Sequence, residues 1–230
     1  MRRAAVKICG ITSLGDAHAA IKCGAEYIGL IFVPSSRRCV TLDAARGIVK
    51  SVRERGECQI VCVFQNAEVE EVEHVLINLK PDLIQFHGFE TPEYLSSFAP
   101  ASLIKTVEIR PNEATEPKRI RQQIRRYEPV ARHILFDRPK ESASDKSWLA
   151  QAVPLLQRAL EELAILGSLP YFFAGGLTFE NVSLVVEKLS PFALDVASGV
   201  EASPGHKDEE KMNRFFQAVI QANSGASKRN

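Results

Sequence analysis

The chain has 230 residues, and its 29 Lys and Arg residues nearly balance its 28 Asp and Glu residues, which gives a net charge of +1. Such a charge provides no overall attraction to nucleic acid or to a membrane surface, so small molecules are the expected partners. A hydrophobic content of 45% is ordinary for a globular protein, and the length suits one domain with a large core.

The number and spacing of the cysteines indicate whether they form disulfides or bind zinc. The chain has five cysteines, which are Cys9, Cys23, Cys39, Cys58 and Cys62. Their odd number, without Cys-x-x-Cys spacing or a paired histidine motif, argues against a disulfide framework and against a structural zinc site. No apolar stretch approaches the length of about 18 residues that a membrane span needs. We therefore expect reduced thiols and a cytoplasmic location.

Short apolar runs alternate with amphipathic runs along the whole chain, a pattern typical of a parallel sheet with crossover helices. Strands are predicted at residues 5–8, 27–32, 60–64, 83–86, 103–107, 133–136, 171–174 and 193–196. Helices are predicted at residues 13–23, 42–53, 67–79, 92–98, 116–127, 147–166, 178–189 and 208–222. Most strand runs are apolar on both faces, as expected where helices cover the outside and core fills the inside.

Eight strand–helix units in a chain of this length favour a (β/α)8 TIM barrel, as a single domain over residues 1–222. A doubly wound open sheet is the alternative. It normally has a Gly-x-Gly-x-x-Gly turn after its first strand, where this chain has Cys9-Gly10-Ile11-Thr12-Ser13. The polar tail at 223–230 is predicted to be disordered. In such a barrel the active site lies at the carboxyl ends of the strands.

Two neighbouring predicted strands end in small residues. Gly175 and Gly176 follow the seventh strand, and Ser198 and Gly199 follow the eighth. Without Cβ atoms, glycines let backbone N–H groups approach an anion closely, and Thr178 is predicted to cap the helix that follows. The two junctions together predict one phosphate held between strands seven and eight.

Other polar residues follow the remaining strands, and each has an ordinary structural role as the alternative. Cys9 is either a catalyst or a small core residue. Asp137 either faces the barrel mouth or caps a loop. Arg37 and Arg38 suit carboxylate or phosphate recognition, but they also suit a solvated loop. His87 is either a ligand contact or a hydrogen-bonded structural residue, and the structural role is favoured.

Several motifs occur in a characteristic order over nearly the whole chain. They include Lys7-Ile8-Cys9-Gly10-Ile11-Thr12, Pro34-Ser35-Ser36-Arg37-Arg38, Gln85-Phe86-His87-Gly88, Ala174-Gly175-Gly176-Leu177 and Asp195-Val196-Ala197-Ser198-Gly199-Val200-Glu201. In these motifs the chain resembles the phosphoribosylanthranilate isomerases of tryptophan biosynthesis. The resemblance implies a (β/α)8 barrel and an aldose–ketose isomerisation without a cofactor. The implied reaction is the Amadori rearrangement of N-(5-phosphoribosyl)anthranilate to 1-(2-carboxyphenylamino)-1-deoxyribulose 5-phosphate.

The resemblance also implies roles for individual residues. Asp137 matches the general acid that protonates the furanose ring oxygen, and Cys9 matches the base that removes the C2′ proton. Arg38 matches the residue that holds the anthranilate carboxylate. The remaining site residues are expected to hold the phosphate or to border the site: Gly175, Gly176, Ser198 and Gly199 through their amides, and Asp195 at the last strand.

These roles require shifted pKa values. A model thiol titrates at about 8.5 and a model Asp at about 3.9, so at neutral pH each group is mostly in the wrong state for its task. Apolar surroundings are expected to raise the pKa of Asp137. Lys7 is the cation nearest to Cys9 in the sequence. It is assigned to the opposite face of the strand and is not expected to stabilise the thiolate.

The loop after Asp137 departs from the resemblance. Related proteins usually have a glycine-rich segment there, whereas residues 138–147 contain no glycine. Such a loop usually covers the substrate, so its change affects closure, turnover or substrate choice. Two alternatives therefore stay open: a non-catalytic phosphosugar-binding barrel and a related aminoaldose isomerase. The protein is expected to be a monomer or a homodimer.

Overall fold

The computed structural model describes residues 3–56, 58–98, 102–111, 116–142, 145, 147–164 and 169–227. Within these residues, eight parallel strands close into a barrel in chain order, and the last strand pairs with the first. The strands are β1 (Ala5–Cys9), β2 (Tyr27–Ile31), β3 (Gln59–Phe64), β4 (Leu83–Phe86), β5 (Leu103–Glu108), β6 (His133–Asp137), β7 (Tyr171–Phe173) and β8 (Ala193–Val196). The predicted (β/α)8 class is confirmed.

Helices surround the barrel. Those in the described residues are α1 (Leu14–Cys23), α2 (Leu42–Arg55), α3 (Val69–Leu79), α4 (Pro92–Ser96), α5 (Glu116–Tyr127), α6 (Trp148–Ala164), α7 (Val182–Leu189) and α8 (Glu209–Ser227). None of these described helices is both long and apolar enough to cross a bilayer.

The core has two apolar layers, because each strand points alternate side chains to opposite faces. The outer layer lies between the strands and the helices and contains residues such as Ile8, Phe64 and Phe136. The inner layer fills the barrel and includes Cys9, Tyr27, Val61, Val63, Leu83, Ile104, Leu135, Phe172, Ala174 and Ala193. Polar side chains are also buried among the strands, and Lys7, Gln85 and Asp195 are only 0%, 1% and 7% exposed.

Most helices lie within two residues of their predicted bounds, and two differ more. Helix α7 begins at Val182 rather than at Thr178, because residues 179–181 form a turn. The prediction that Thr178 caps this helix is therefore wrong. Helix α8 continues to Ser227, so residues 223–227 of the predicted tail are helical, and residues 228–230 lie outside the described residues. The domain boundary at 222 stays a prediction.

A small hairpin after β8 was not predicted. It consists of β9 (Glu201–Ser203) and β10 (His206–Lys207), which pair antiparallel. Gly205 turns the chain between them with a φ of 85°, in the region that favours glycine. Because these short strands are polar, no apolar run marks them in the sequence. The hairpin brings Glu201 and Lys207 to the carboxyl end of the barrel.

Candidate active site

One cavity of about 290 Å³ opens at the carboxyl end of the barrel. All eight residues predicted for the site line it: Cys9, Arg38, Gly175, Gly176, Asp137, Asp195, Ser198 and Gly199. The strands place them there, since each of these residues ends a strand, lies within one or follows shortly after one. Arg37, the other arginine considered, is exposed. His87, for which a hydrogen-bonded structural role was favoured, also lines the cavity.

Lys7 lies beside Cys9, which corrects the prediction about this lysine. Residues two apart on a strand point to the same face, so Lys7 and Cys9 share one face of β1. The ammonium of Lys7 donates hydrogen bonds to Asp195 Oδ2 at 2.9 Å and to Gln85 Oε1 at 2.8 Å. Gly29 on β2 leaves room for both side chains. A Cβ atom there would lie 2.7 Å from Cys9 Sγ and 3.2 Å from Lys7 Cε.

Opposing effects act on the Cys9 thiol. Burial raises its pKa above the ordinary value, while the ammonium groups of Lys7 and Lys207 act to lower it. Lys207 is also buried and donates to the Cys9 carbonyl oxygen at 2.7 Å and to Glu201 Oε1 at 2.9 Å. Since burial is the strongest of these effects, Cys9 is mainly a thiol at neutral pH.

Asp137 ends β6 and lies 3.4 Å from His87, measured between Asp137 Oδ2 and His87 Nε2. Burial raises the pKa of Asp137 to about 7, and burial lowers the pKa of His87 to about 4. At neutral pH the histidine is therefore uncharged, and a substantial share of Asp137 is protonated. The expected upward shift of Asp137 is confirmed in direction and cause.

The proton of the neutral His87 ring can be assigned from its neighbours. Lys7 can only donate, so its partner on Gln85 is the oxygen, and the Gln85 amide nitrogen points towards His87 Nδ1 at 3.4 Å. An amide nitrogen also only donates, which makes Nδ1 the acceptor and leaves the proton on Nε2, towards Asp137. A chain of polar contacts thus connects Lys7 to Asp137 through Gln85 and His87.

Arg38 is held by a carboxylate that sequence reasoning missed. Its guanidinium donates to both oxygens of Glu201, from Nε to Oε1 and from Nη2 to Oε2, each at 2.7 Å. Its aliphatic part packs on Gly10, where a Cβ atom would lie 2.5 Å from Arg38 Cδ. Glu201 is the last residue of the Ser198–Glu201 stretch that follows β8, but no spacing rule relates it to Arg38.

The junctions after β7 and β8 touch each other. A Cβ atom at Gly199 would overlap the carbonyl oxygen of Leu177, so only glycine permits this approach. The backbone amides of Gly175, Gly176, Ser198 and Gly199 donate no hydrogen bond within the described part of the chain. Two adjacent turns with free amides form a site suited to an anion.

The Asn181 side chain holds the first of these junctions together. The Thr178 backbone N–H donates to Asn181 Oδ1 at 2.8 Å, and Asn181 Nδ2 donates to the Gly176 carbonyl oxygen at 3.0 Å. Gly175 and Gly176 have φ values of 103° and 70°, which side chains rarely adopt. Glycine is therefore favoured at both positions by the backbone conformation and also by the limited space around a Cβ atom.

A thiol and a carboxylic acid that face one cavity, beside an anion site and an arginine, can perform proton transfers on an anionic phosphosugar. A family model described as N-(5'phosphoribosyl)anthranilate (PRA) isomerase matches residues 6–218. The N-(5'-phosphoribosyl)anthranilate isomerase of Xylella fastidiosa (strain 9a5c) is 32% identical over 223 residues, covering 96% of this chain and 93% of the relative.

Solved structures of such isomerases have the same fold as this chain. The phosphoribosyl anthranilate isomerase of Thermotoga maritima superposes with a TM-score of 0.81 at 29% identity, covering 95% of this chain and 99% of that chain. The Thermotoga enzyme is described as dimeric. Another such isomerase, in complex with reduced 1-(o-carboxyphenylamino)-1-deoxyribulose 5-phosphate, has a TM-score of 0.76 at 28% identity, with coverages of 95% and 99%. The chain therefore belongs to the N-(5'-phosphoribosyl)anthranilate isomerase family, the isomerases of tryptophan biosynthesis.

Proposed function

We propose that this protein catalyses the Amadori rearrangement of N-(5-phosphoribosyl)anthranilate to 1-(2-carboxyphenylamino)-1-deoxyribulose 5-phosphate, with Asp137 as general acid and Cys9 as general base. The observation that carries this proposal is that the two side chains, from β6 and β1, line one cavity together with the free-amide junctions. The similar structure that holds a reduced form of the same product supports the substrate class.

In the first step, protonated Asp137 gives its proton to the furanose ring oxygen, and the bond from that oxygen to C1′ breaks. The nitrogen lone pair of the substrate forms the Schiff base at C1′. The Cys9 thiolate then removes the C2′ proton, and the electron pair of that bond forms an enolamine. Protonation at C1′ and loss of the O2′ proton give the ketone, so no atom or electron is gained or lost overall.

The ionisation states support this division of roles. A carboxylic acid with a pKa of about 7 donates a proton readily at neutral pH, whereas an ordinary aspartate is almost fully ionised there. Cys9 must lose its proton to act, and Lys7 and Lys207 are the cations that favour the thiolate. Each proton transfer contributes roughly two to four orders of magnitude in rate.

The remaining predicted residues bind the substrate. Arg38 receives the anthranilate carboxylate, and its pairing with Glu201 fixes the direction of its guanidinium group. The amides of Gly175, Gly176, Ser198 and Gly199 receive the phosphate. Asp195 holds the Lys7 ammonium next to Cys9 and borders the cavity.

The test is the loss of substrate fluorescence when freshly made N-(5-phosphoribosyl)anthranilate is added to the purified protein. Wild-type protein should show turnover, and both Cys9→Ala and Asp137→Asn should lower kcat by at least about a hundredfold. Normal turnover in either variant would overturn the assigned roles. Binding of the reduced product without turnover would instead indicate a non-catalytic phosphosugar-binding barrel, and turnover only of a doubly phosphorylated aminoaldose would indicate the related isomerase.

We also propose that the protein works in the cytoplasm as a monomer or homodimer. Five free cysteines are consistent with a reducing compartment, and the Thermotoga relative is described as dimeric. Light scattering on the purified protein would decide between the two assembly states.

A further inference from the structure

We propose that Arg138 is a ligand of the substrate phosphate, which adds a full positive charge to the free-amide junctions. This proposal rests on the proposed function. Arg138 directly follows the general acid Asp137, and its side chain turns towards the loop after β7. A Cβ atom built on Gly176 would lie 3.0 Å from each of three guanidinium atoms of Arg138, namely Cζ, Nη1 and Nη2. Equal distances to these three atoms mean that one face of the guanidinium is turned towards the side of Gly176 from which a Cβ would project.

The same side chain stands between two cavities. Arg138 lines the active-site cavity of about 290 Å³ and also an adjoining cavity of about 400 Å³. The other residues shared by the two cavities are Gly175, Gly176, Ser198 and Gly199, which are the residues with free amides. A group held by those amides is therefore within reach of the Arg138 guanidinium.

The guanidinium is available to a ligand. Arg138 donates a hydrogen bond from its backbone N–H to Asp137 Oδ1 at 2.7 Å, and its charge acts on the nearby Asp137 and Asp145 carboxyl groups. Among the described residues, however, no acceptor is hydrogen-bonded to its side chain and no carboxylate lies within ion-pair distance of it. The two other basic residues that line the cavity are engaged. Arg38 pairs with Glu201, and Lys140 Nζ lies 3.3 Å from Gln65 Oε1. Arg138 is thus a cation beside the amides whose guanidinium has no hydrogen-bond or ion-pair partner among the described residues.

Phosphate chemistry gives this placement a function. A phosphate monoester carries a charge of about −1.5 to −2 at neutral pH, and a guanidinium can donate two parallel N–H bonds to its oxygens. Residues 138–147 contain no glycine, so this loop has no residue free of a Cβ whose amide could closely approach the anion. A charged side chain at the start of the loop supplies the contact instead.

The experiment compares wild-type protein with Arg138→Ala, Arg138→Lys and the control Arg132→Ala in steady-state kinetics with N-(5-phosphoribosyl)anthranilate. Arg132 is exposed just before β6, at the opposite end of the barrel, so its loss changes the net charge equally without touching the cavity. We expect Arg138→Ala to raise KM about ten- to a hundredfold with kcat within about threefold of wild type. Arg138→Lys should recover part of this loss, and Arg132→Ala should match wild type.

A second measurement separates phosphate contact from general damage to the site. Inorganic phosphate is used as a competitive inhibitor, and its inhibition constant should rise in Arg138→Ala by a factor similar to that of KM. The inhibition constant for anthranilate, which has no phosphate, should stay within about twofold. Unchanged KM and phosphate inhibition in Arg138→Ala would overturn the proposal, and so would equal losses for phosphate and anthranilate.

Different results would contradict the Arg138 assignment and the proposed isomerase function. If wild-type protein does not turn over the substrate, the function is wrong. Calorimetric binding of inorganic phosphate to wild type and Arg138→Ala then still tests the ligand assignment: tighter binding by wild type supports it, and equal binding overturns it. If wild type is active and the Arg138→Ala kinetics are unchanged, the function stands and the ligand assignment is wrong.

Discussion

The ammonium of Lys7 lies 2.9 Å from Asp195 Oδ2, in a pair whose two side chains are buried between β1 and β8. Each charged side chain of this buried pair depends on the other for a partner of opposite charge. Burial is the largest single effect and acts against the charged form of Lys7, but Asp195 and Cys9 together outweigh it and raise the pKa of this ammonium above its ordinary value. Lys7 therefore stays charged beside Cys9, where a cation favours the thiolate.

Removal of this cation should affect stability and thiol chemistry separately. Lys7→Met leaves Asp195 buried without its partner, so we expect a loss of about 3–5 kcal/mol in the free energy of unfolding, measured in urea. The double variant Lys7→Met/Asp195→Asn removes both charges and should recover most of that loss. Cys9 should nevertheless react more slowly with iodoacetamide at pH 8 in both variants than in wild type, as followed by mass spectrometry of its peptide. Wild-type reactivity in the double variant would show that Lys7 does not support the thiolate.

In the pH profile of kcat/KM, the limb that rises with pH should report the pKa of the acid, Asp137, and not that of the base. The proposed mechanism requires Asp137 to be protonated and Cys9 to be ionised, although the pKa of Asp137 is about 7 and that of Cys9 is raised. The fraction of enzyme in this combination increases with pH up to about 7, stays level between the two pKa values and decreases above the higher one. The rising limb thus reports the acid.

Steady-state kinetics between pH 5.5 and about pH 9 would measure this profile. A decrease of kcat/KM as the pH rises through 7 would contradict it, because that shape requires the thiol to ionise before Asp137. Binding of the reduced product over the same range separates the ionisation of the ligand phosphate from that of the enzyme.

Asp137 should cost stability at neutral pH. Its folded pKa of about 7 lies above the unfolded value of about 3.9, so the folded state binds more protons between these values. The free energy of unfolding contributed by this group therefore decreases as the pH rises from about 4 to 7. Asp137→Asn should be more stable than wild type, and its advantage should be about 2–3 kcal/mol larger at pH 8 than at pH 5. An advantage that does not change with pH would mean that the Asp137 pKa is not raised.

Gly199→Ala tests the contact between the two phosphate junctions. Its Cβ would overlap the Leu177 carbonyl oxygen and lie 3.3 Å from Thr178 Cα, so the two loops must separate. We expect a loss of about 1–3 kcal/mol in the free energy of unfolding and an increase of at least about tenfold in KM. Gly47→Ala is the matched control, because nothing lies within 4 Å of a Cβ at that position in α2. It should add up to about 1 kcal/mol of stability without changing the kinetics.

The fold and the phosphate junctions could be predicted because their causes are local. Apolar runs define the strands whatever their partners are, and Leu83–Phe86 and Ala193–Val196 were predicted to the residue. Gly175 and Gly176 have backbone angles that only glycine adopts readily, so their positions alone indicated a tight turn. The family's motif order added Cys9, Asp137 and Arg38, all three of which line the cavity.

The partners of these residues could not be predicted in the same way. Lys7 meets Asp195 across 188 positions of sequence, and Arg38 meets Glu201 across 163. No periodicity relates such distant residues, since closure of the barrel brings them together. The strand face on which Lys7 lies is a different matter from its pairing with Asp195. Because residues two apart on a strand share a face, the position of Lys7 beside Cys9 could have been predicted from the sequence, and its assignment to the opposite face was wrong.

The sequence by itself determined the barrel and predicted the end of the barrel that holds the candidate site, together with the residues proposed as acid, base and anion site. The tertiary structure decided the protonation states of these residues. A pKa depends on burial and on nearby charges, and both arise only when strands that are far apart in sequence meet in the closed barrel. For that reason, the protonation of Asp137, the cations beside Cys9 and the position of Arg138 over Gly176 became visible only in the folded molecule.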